Sequence, residues 1–187
     1  MIEIFSYFNS ILPLSEAAQV ALNEILHEKS YGKNQIVQMP GSTCRTLYFV
    51  KEGAARIFYI KDGNDITEHF AFANDIIVRA ESLFTQLPTS KGIETIGKTT
   101  FYTLDADRLF SLYNEYHEVE RLFRIIFERE FVAAIRRIES FQLKSAAERY
   151  NDLLETTNLV NQIPLKLIAS YLGISQVSLS RIRAGVQ

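Results

Sequence analysis

The sequence predicts an α+β chain: an N-terminal β-roll, one long helix, and a closing helix-turn-helix pair. Three observations carry this. Between Gln35 and about Leu104 the chain is rich in β-branched and aromatic residues cut by turn dipeptides, the texture of short strands in a compact barrel or roll. From Ala106 to about Glu155 there is no Gly and no Pro, so nothing in the sequence breaks a helical run there. From Leu165 to Arg183 the stretch LKLIASYLGISQVSLSRIR places apolar residues at helical spacing on both sides of a single glycine,.

The elements follow in order. Ser15 is an N-cap for EAAQVALNEIL, whose Val20, Leu22, Ile25 and Leu26 fit one helical face,. This helix is predicted to give way near Tyr31-Gly32. In TLYFVKEGAARIFYIKDGNDITEHFAF, Glu52-Gly53 marks one turn. Asp62-Gly63 marks a hairpin, because both residues tolerate positive φ. Pro40-Gly41 gives another turn, and Gly97 a bend within GIETIGKTTFYTLD,.

The helical half should hold a short helix, a long one from about His117 to Phe141, and another from about Ser145 to Thr156. In the long helix Leu122, Ile126, Ala133 and Arg137 lie near one stripe, and Phe127, Phe131, Ile135 and Ile138 near a second. One apolar stripe suffices to dock a helix on its own roll. The second predicts another surface to cover, the same helix of a second copy, and so a homodimer; the alternative is a helix sandwiched inside a monomer.

The closing stretch meets the needs of a helix-turn-helix one by one. Two helices crossing through a short turn need a small residue inside the first, and Ala169 supplies it. The turn needs a residue that accepts positive φ, and Gly173 supplies it four residues later,. Ile168, Leu172, Ile174, Leu179 and Ile182 fill the interior, and Ser175 caps the second helix. Its outward face then carries Gln176, Val177, Ser178, Ser180, Arg181 and Arg183. These groups hydrogen-bond base edges, touch a thymine methyl or bind phosphate. With Ser175 and Lys166 they form the expected DNA-binding set; the alternative is an ordinary αα-corner.

Charge agrees with this. The chain of 187 residues has a net charge of −2, yet from Thr156 onward it has only the basic Lys166, Arg181 and Arg183 and no Asp or Glu. Residues 1–155 hold 17 basic against 22 acidic residues. A small positive end on an acidic body favours an anionic partner for that end. Cys44 is the only cysteine, which rules out an intrachain disulfide and a cysteine-ligated cluster within one chain. Glu3 stands where a secretory signal would have a basic region, and no apolar run approaches a membrane span. A cytoplasmic protein without a membrane partner is expected.

Two segments together resemble a known family. LYFVKEGAARIFYIKDG is similar to the β-roll of cyclic-nucleotide-binding domains. The long helix followed by IPLKLIASYLGISQVSLSRIR resembles the dimerisation helix and helix-turn-helix of the cyclic-AMP receptor protein/fumarate-nitrate regulator (Crp/Fnr) family. The resemblance covers nearly the whole chain, and the helix-turn-helix is its most specific part. It implies a homodimeric transcriptional regulator that reads a palindromic operator in double-stranded DNA. It also implies three units: a cyclic-nucleotide-binding-like sensor over 1–116, the long dimerisation helix over 117–143, and the DNA-binding unit over 144–187.

Two departures stand against the family pattern. The family's nucleotide cassette runs Gly-Glu, an apolar stretch, then an Arg-Ser/Thr-Ala step, whose Arg grips the cyclic phosphate and whose Glu holds the ribose. Here Val78-Arg79 stand at the glycine turn, and Glu81 and Ser82 follow after a gap. With Ile93 as anchor, Thr89-Ser90 stand at the Arg-Ser step, beside Lys91. A Thr has no cation to offset a buried phosphate. The sensor is therefore expected not to bind cyclic AMP in the usual way, and its small-molecule effector is not named by the sequence. The second departure follows Arg183, where the chain is expected to carry little or no β-wing.

Other chemistry has less support. A cupin-type metal site, or a small-molecule-binding protein whose last helices dock another protein, is the alternative. The metal site needs clustered His and carboxylate ligands, but His27 and His117 fall on predicted helices, leaving His69 alone in the roll as a strand-surface or partly satisfied residue. No Gly-rich phosphate loop, nucleophile elbow or catalytic carboxylate pair occurs. Neither enzymatic activity nor a cofactor or metal is expected. Cys44 is read as a small apolar filler.

Overall fold

The computed structural model describes residues 2–185. Two short helices lead, α1 (Ile2–Ile11) and α2 (Glu16–Ile25). Ser15 caps α2, its hydroxyl accepting from the Ala18 N–H, as its position before an apolar run predicts. Leu22 and Ile25 are buried on that helix, whereas Val20 is exposed.

The helix does not continue to Tyr31. It ends at Ile25, and Leu26–Tyr31 forms strand β1, antiparallel to the later strand β8 (Thr99–Asp105). Four of its six residues are exposed, so the sequence shows no buried alternation. The register comes from its partner: Leu26 lies opposite Leu104, and the hydroxyls of Ser30 and Thr100 meet at 2.9 Å. Long-range pairing here overrides local propensity. His27 and Leu26 are strand residues, not helical ones.

The remaining strands are β2 (Ile36–Gln38), β3 (Thr46–Glu52), β4 (Ala54–Lys61), β5 (Asn64–Phe72), β6 (Ile76–Ile77) and β7 (Gly92–Thr95). They form two four-stranded antiparallel sheets, in the orders β1-β8-β3-β6 and β2-β7-β4-β5. Tyr48, Val50, Ala55, Ile57, Ala71, Ile93 and Phe101 fill the space between them. Asp62 (φ 52°) and Gly63 (φ 76°) both take positive φ in the β4–β5 hairpin, the two-residue turn the sequence signals. Gly53 is required at the β3–β4 turn, since a Cβ there would run into the Lys98 carbonyl.

Helix α3 (Ala80–Thr85) bridges β6 and β7, and α4 (Ala106–Leu112) leaves the roll, capped by Asp105. Helix α5 spans His117–Leu143 and α6 Ala146–Thr156. Ser145 and Glu148 form a reciprocal capping box at the start of α6,. Helix α1 packs against α5: Phe8 lies edge-on to Phe49 at 5.5 Å and to Phe123 at 5.8 Å. All three rings are buried, each contributing roughly 1.5–3 kcal/mol of apolar burial. A short 3-10 segment, Asn158–Gln162, leads to α7 (Leu165–Leu172) and α8 (Gln176–Arg183).

The two stripes of α5 part company. Leu122 and Ile126 are buried against the chain's own core, and Phe127 packs on its margin. Phe131, Ile135 and Ile138 are exposed, Phe131 at 67% and Ile138 at 60%. Ala133 is also exposed, and Arg137 half-buried.

Candidate nucleic-acid interface and sensor cassette

Helices α7 and α8 meet through Gly173 and its neighbours. Gly173 sits at φ 69°, ψ 31°, a left-handed conformation that glycine adopts without Cβ strain. The Gly173 N–H donates to the Ser170 carbonyl (3.1 Å) and the Ile174 N–H to the Ala169 carbonyl (3.0 Å), closing the end of α7. Ser175 then caps α8, accepting from the Ser178 N–H at 3.0 Å. Ile168, Ala169, Leu172 and Leu179 are buried, and Ile182 packs on them.

At about 100° per residue, the inward packing of buried Leu179 and half-buried Ile182 turns Val177, Ser180 and Arg181 outward. Gln176, Ser178 and Arg183 flank them. All six are exposed, as are Ser175 and Lys166. The hydroxyls of Ser175 and Ser178 lie 2.9 Å apart, so Ser175 is occupied in the cap. A helix face of amide, hydroxyl, methyl and guanidinium groups with no carboxylate is suited to the major groove of DNA.

Sequence reasoning did not find the clamp that holds this pair to the roll. The Ser170 hydroxyl on α7 accepts from the Thr67 N–H (2.9 Å) and donates to the Asp65 carbonyl (3.2 Å) on β5. Tyr171 packs at a tilt of 42° on Phe70, ring centres 4.9 Å apart. Ala54, Phe70, Phe72 and Ile96 of the roll share one buried cluster with Leu153, Ile168 and Leu172. A lone Ser on a helix carries no sequence signal for a contact made 103 residues away.

The cassette residues between β6 and β7 fall into three groups. Arg79 is 4% exposed and reaches Glu68 of β5 at 3.3 Å; Lys91 pairs with the other oxygen of the same carboxylate. Burial would raise the Glu68 pKa, but the Lys91 bond and the Arg79 charge outweigh it and hold it below its ordinary value,. Ser82 and Thr89 are buried loop fasteners. The Ser82 hydroxyl donates to the Leu87 carbonyl (2.5 Å) and accepts from the Cys44 N–H (2.9 Å). The Thr89 backbone pairs with Gly41 and Ser42. Glu81 and Ser90 are exposed. The two cations of the cassette thus share an internal counter-ion, which an incoming phosphate would have to displace.

Cys44 is buried, and burial pushes its thiol pKa up, which keeps it a thiol rather than a reactive thiolate. His69 is half-buried beside Arg137. Among the described residues, no group of three or more His, Cys, Asp or Glu could hold a metal ion, and no helix is long and apolar enough to cross a membrane.

Residues 28–116 match the cyclic nucleotide-binding domain family. No curated protein sequence matches the chain. Solved structures share its architecture. FixK2 from Bradyrhizobium japonicum superposes with a TM-score of 0.73 at 20% identity, covering 86% of this chain and 84% of that one. A Crp/Fnr-family regulator from Eubacterium rectale gives 0.70 at 21% identity, over 92% and 83%. The catabolite activator protein of Thermus thermophilus gives 0.56 at 18% identity, over 94% and 84%. Residues 28–116 are therefore similar to cyclic nucleotide-binding domains, and the chain shares the fold of the Crp/Fnr-family regulators.

Proposed function

We propose that this protein is a DNA-binding transcriptional regulator of the Crp/Fnr type, not an enzyme, acting in the cytoplasm as a homodimer. The observation that carries the reading is the outward face of α8. It is free of carboxylates, fixed by a left-handed glycine and a serine cap, and exposes Gln176, Val177, Ser178, Ser180, Arg181 and Arg183. Arg181 takes a guanine through O6 and N7, and Lys166 at the start of α7 takes a phosphate.

The dimer is supported by the uncovered row of Phe131, Ile135 and Ile138 on α5. Their spacing of four then three residues is that of a coiled-coil seam. The two α8 helices of a dimer then read half-sites about 34 Å apart. In this reading residues 1–116 are the sensor, 117–143 the dimerisation helix, and 144–187 the DNA-binding unit. The sensor does not take cyclic AMP in the usual way, because Thr89 offers no cation and Arg79 and Lys91 are tied to Glu68. Selection from a pool of random duplex DNA tests the reading. Enrichment of a two-fold symmetric site supports it, and recovery of an unenriched pool contradicts it.

A further inference from the structure

Between the roll and the C-terminal helices lies a cavity of about 600 Å3, within the size range of small-molecule sites. Its walls are β5, the second half of α5, and helices α6 and α7. Phe70, Phe72, Leu153 and Leu172 give it apolar surface. The cassette residues Arg79, Thr89 and Lys91 do not line it.

Three guanidinium groups in its lining have no carboxylate partner among the described residues: the exposed Arg136, and Arg137 and Arg149, which are half-buried. Arg137 lies over the Tyr171 ring at 4.8 Å, and its Nη1 meets His69 Nδ1 at 3.3 Å. Arg149 lies over Phe141 at 4.7 Å and donates to the Lys144 and Leu172 carbonyls. Its Nε is buried with no partner. The neighbouring Lys144 is already paired with Asp152. A desolvated cation without a counter-ion is costly, and burial pulls the Arg137 pKa below its ordinary value. Burial and Arg137 push His69 down to about 4, so its ring is neutral at pH 7. Asp75 and Glu130 also line the cavity. Burial raises both carboxyls, Glu130 to about 7 with help from Asp75.

We propose that this cavity binds a small organic acid, its anionic group met by Arg137 and Arg149 and its apolar or aromatic body lying against Phe70, Phe72 and Leu153. A ligand there touches both the roll and α7, the helix that carries α8. That it acts as the effector rests on the regulatory reading above; that it binds does not.

Calorimetric titration of the full chain with 2-naphthoate tests the site, with the neutral 2-naphthamide and inorganic phosphate as comparison probes. The naphthoate should saturate one site per chain. The amide and phosphate should each bind about tenfold more weakly or worse, the loss of a charge-assisted contact or of apolar burial. Arg137→Gln should weaken naphthoate about tenfold. Ala133→Trp fills the cavity from an exposed position on α5, and should abolish binding without lowering the unfolding temperature. Absence of saturable binding at millimolar naphthoate, equal binding of the amide, or wild-type affinity in both variants overturns the proposal. DNA selection on the same samples separates the two readings: intact naphthoate binding with no DNA preference sinks the regulator and leaves the site, and the reverse sinks the site alone.

Discussion

Lys166 and His69 show what single side chains contribute. Lys166 is exposed at the first turn of α7, away from the outward face of α8. Its replacement by Ala should weaken binding to all DNA sequences alike and reduce the slope of log affinity against log salt by about 1. An altered sequence preference would show that Lys166 reads bases instead. His69 has its pKa pushed down to about 4 by burial and by Arg137. The unfolded chain therefore binds a proton that the folded chain refuses between pH 6.5 and about 4. Stability falls as pH drops through that window, by at most about 3 kcal/mol. Urea midpoints for His69→Gln should be flatter than wild type over the same range; parallel curves would contradict this. His69 was legible only as a partly satisfied strand residue, because its neighbour Arg137 comes from a helix 68 residues away.

Elements differ in how far their own sequence dictates them. In the closing pair the left-handed Gly173 turn, the Ser175 cap and the burial of Ile168, Ala169, Leu172 and Leu179 were legible, because each does locally what its residue type requires. The Asp62-Gly63 hairpin and the long helix were legible for the same reason. Strand β1 was not, because its residues are mostly exposed and only the edge of β8 holds them extended. Helix α1 carries no cap signal and is fixed by Phe8 packing on Phe49 and Phe123. The long helix yields a contrast between positions. Ile126 is 1% exposed inside the chain's own core, so Ile126→Asp should destabilise the fold by several kcal/mol, roughly the 3–5 that an uncompensated buried charge costs. Ile138→Asp should leave the fold intact and raise the monomer fraction in sedimentation. A monomeric wild-type protein at micromolar concentration would contradict the dimer. At the turn, Gly173→Ala forces a Cβ into the left-handed region at φ 69°. It should cost about 1–2 kcal/mol of stability, read as a lower unfolding midpoint; an unchanged midpoint would contradict a strained turn.

Across the whole molecule, the roll and the closing helices α7 and α8 share one buried cluster and the Ser170 clamp. The candidate cassette was only partly legible. The family resemblance puts Thr89 at the phosphate-gripping step, but Glu68, which ties up Arg79 and Lys91, belongs to a strand outside the cassette. Calorimetry with cyclic AMP should give weak or no binding, and a submicromolar affinity would show that these cations are free to take a phosphate. The central claim is that the outward face of α8 reads bases. Binding-site selection repeated with Arg181→Ala tests it most directly. The account predicts a loss of about 1–3 kcal/mol per half-site, with preference relaxed at one base pair in each half-site and kept elsewhere. Selection of the same operator with undiminished preference at every position would contradict it.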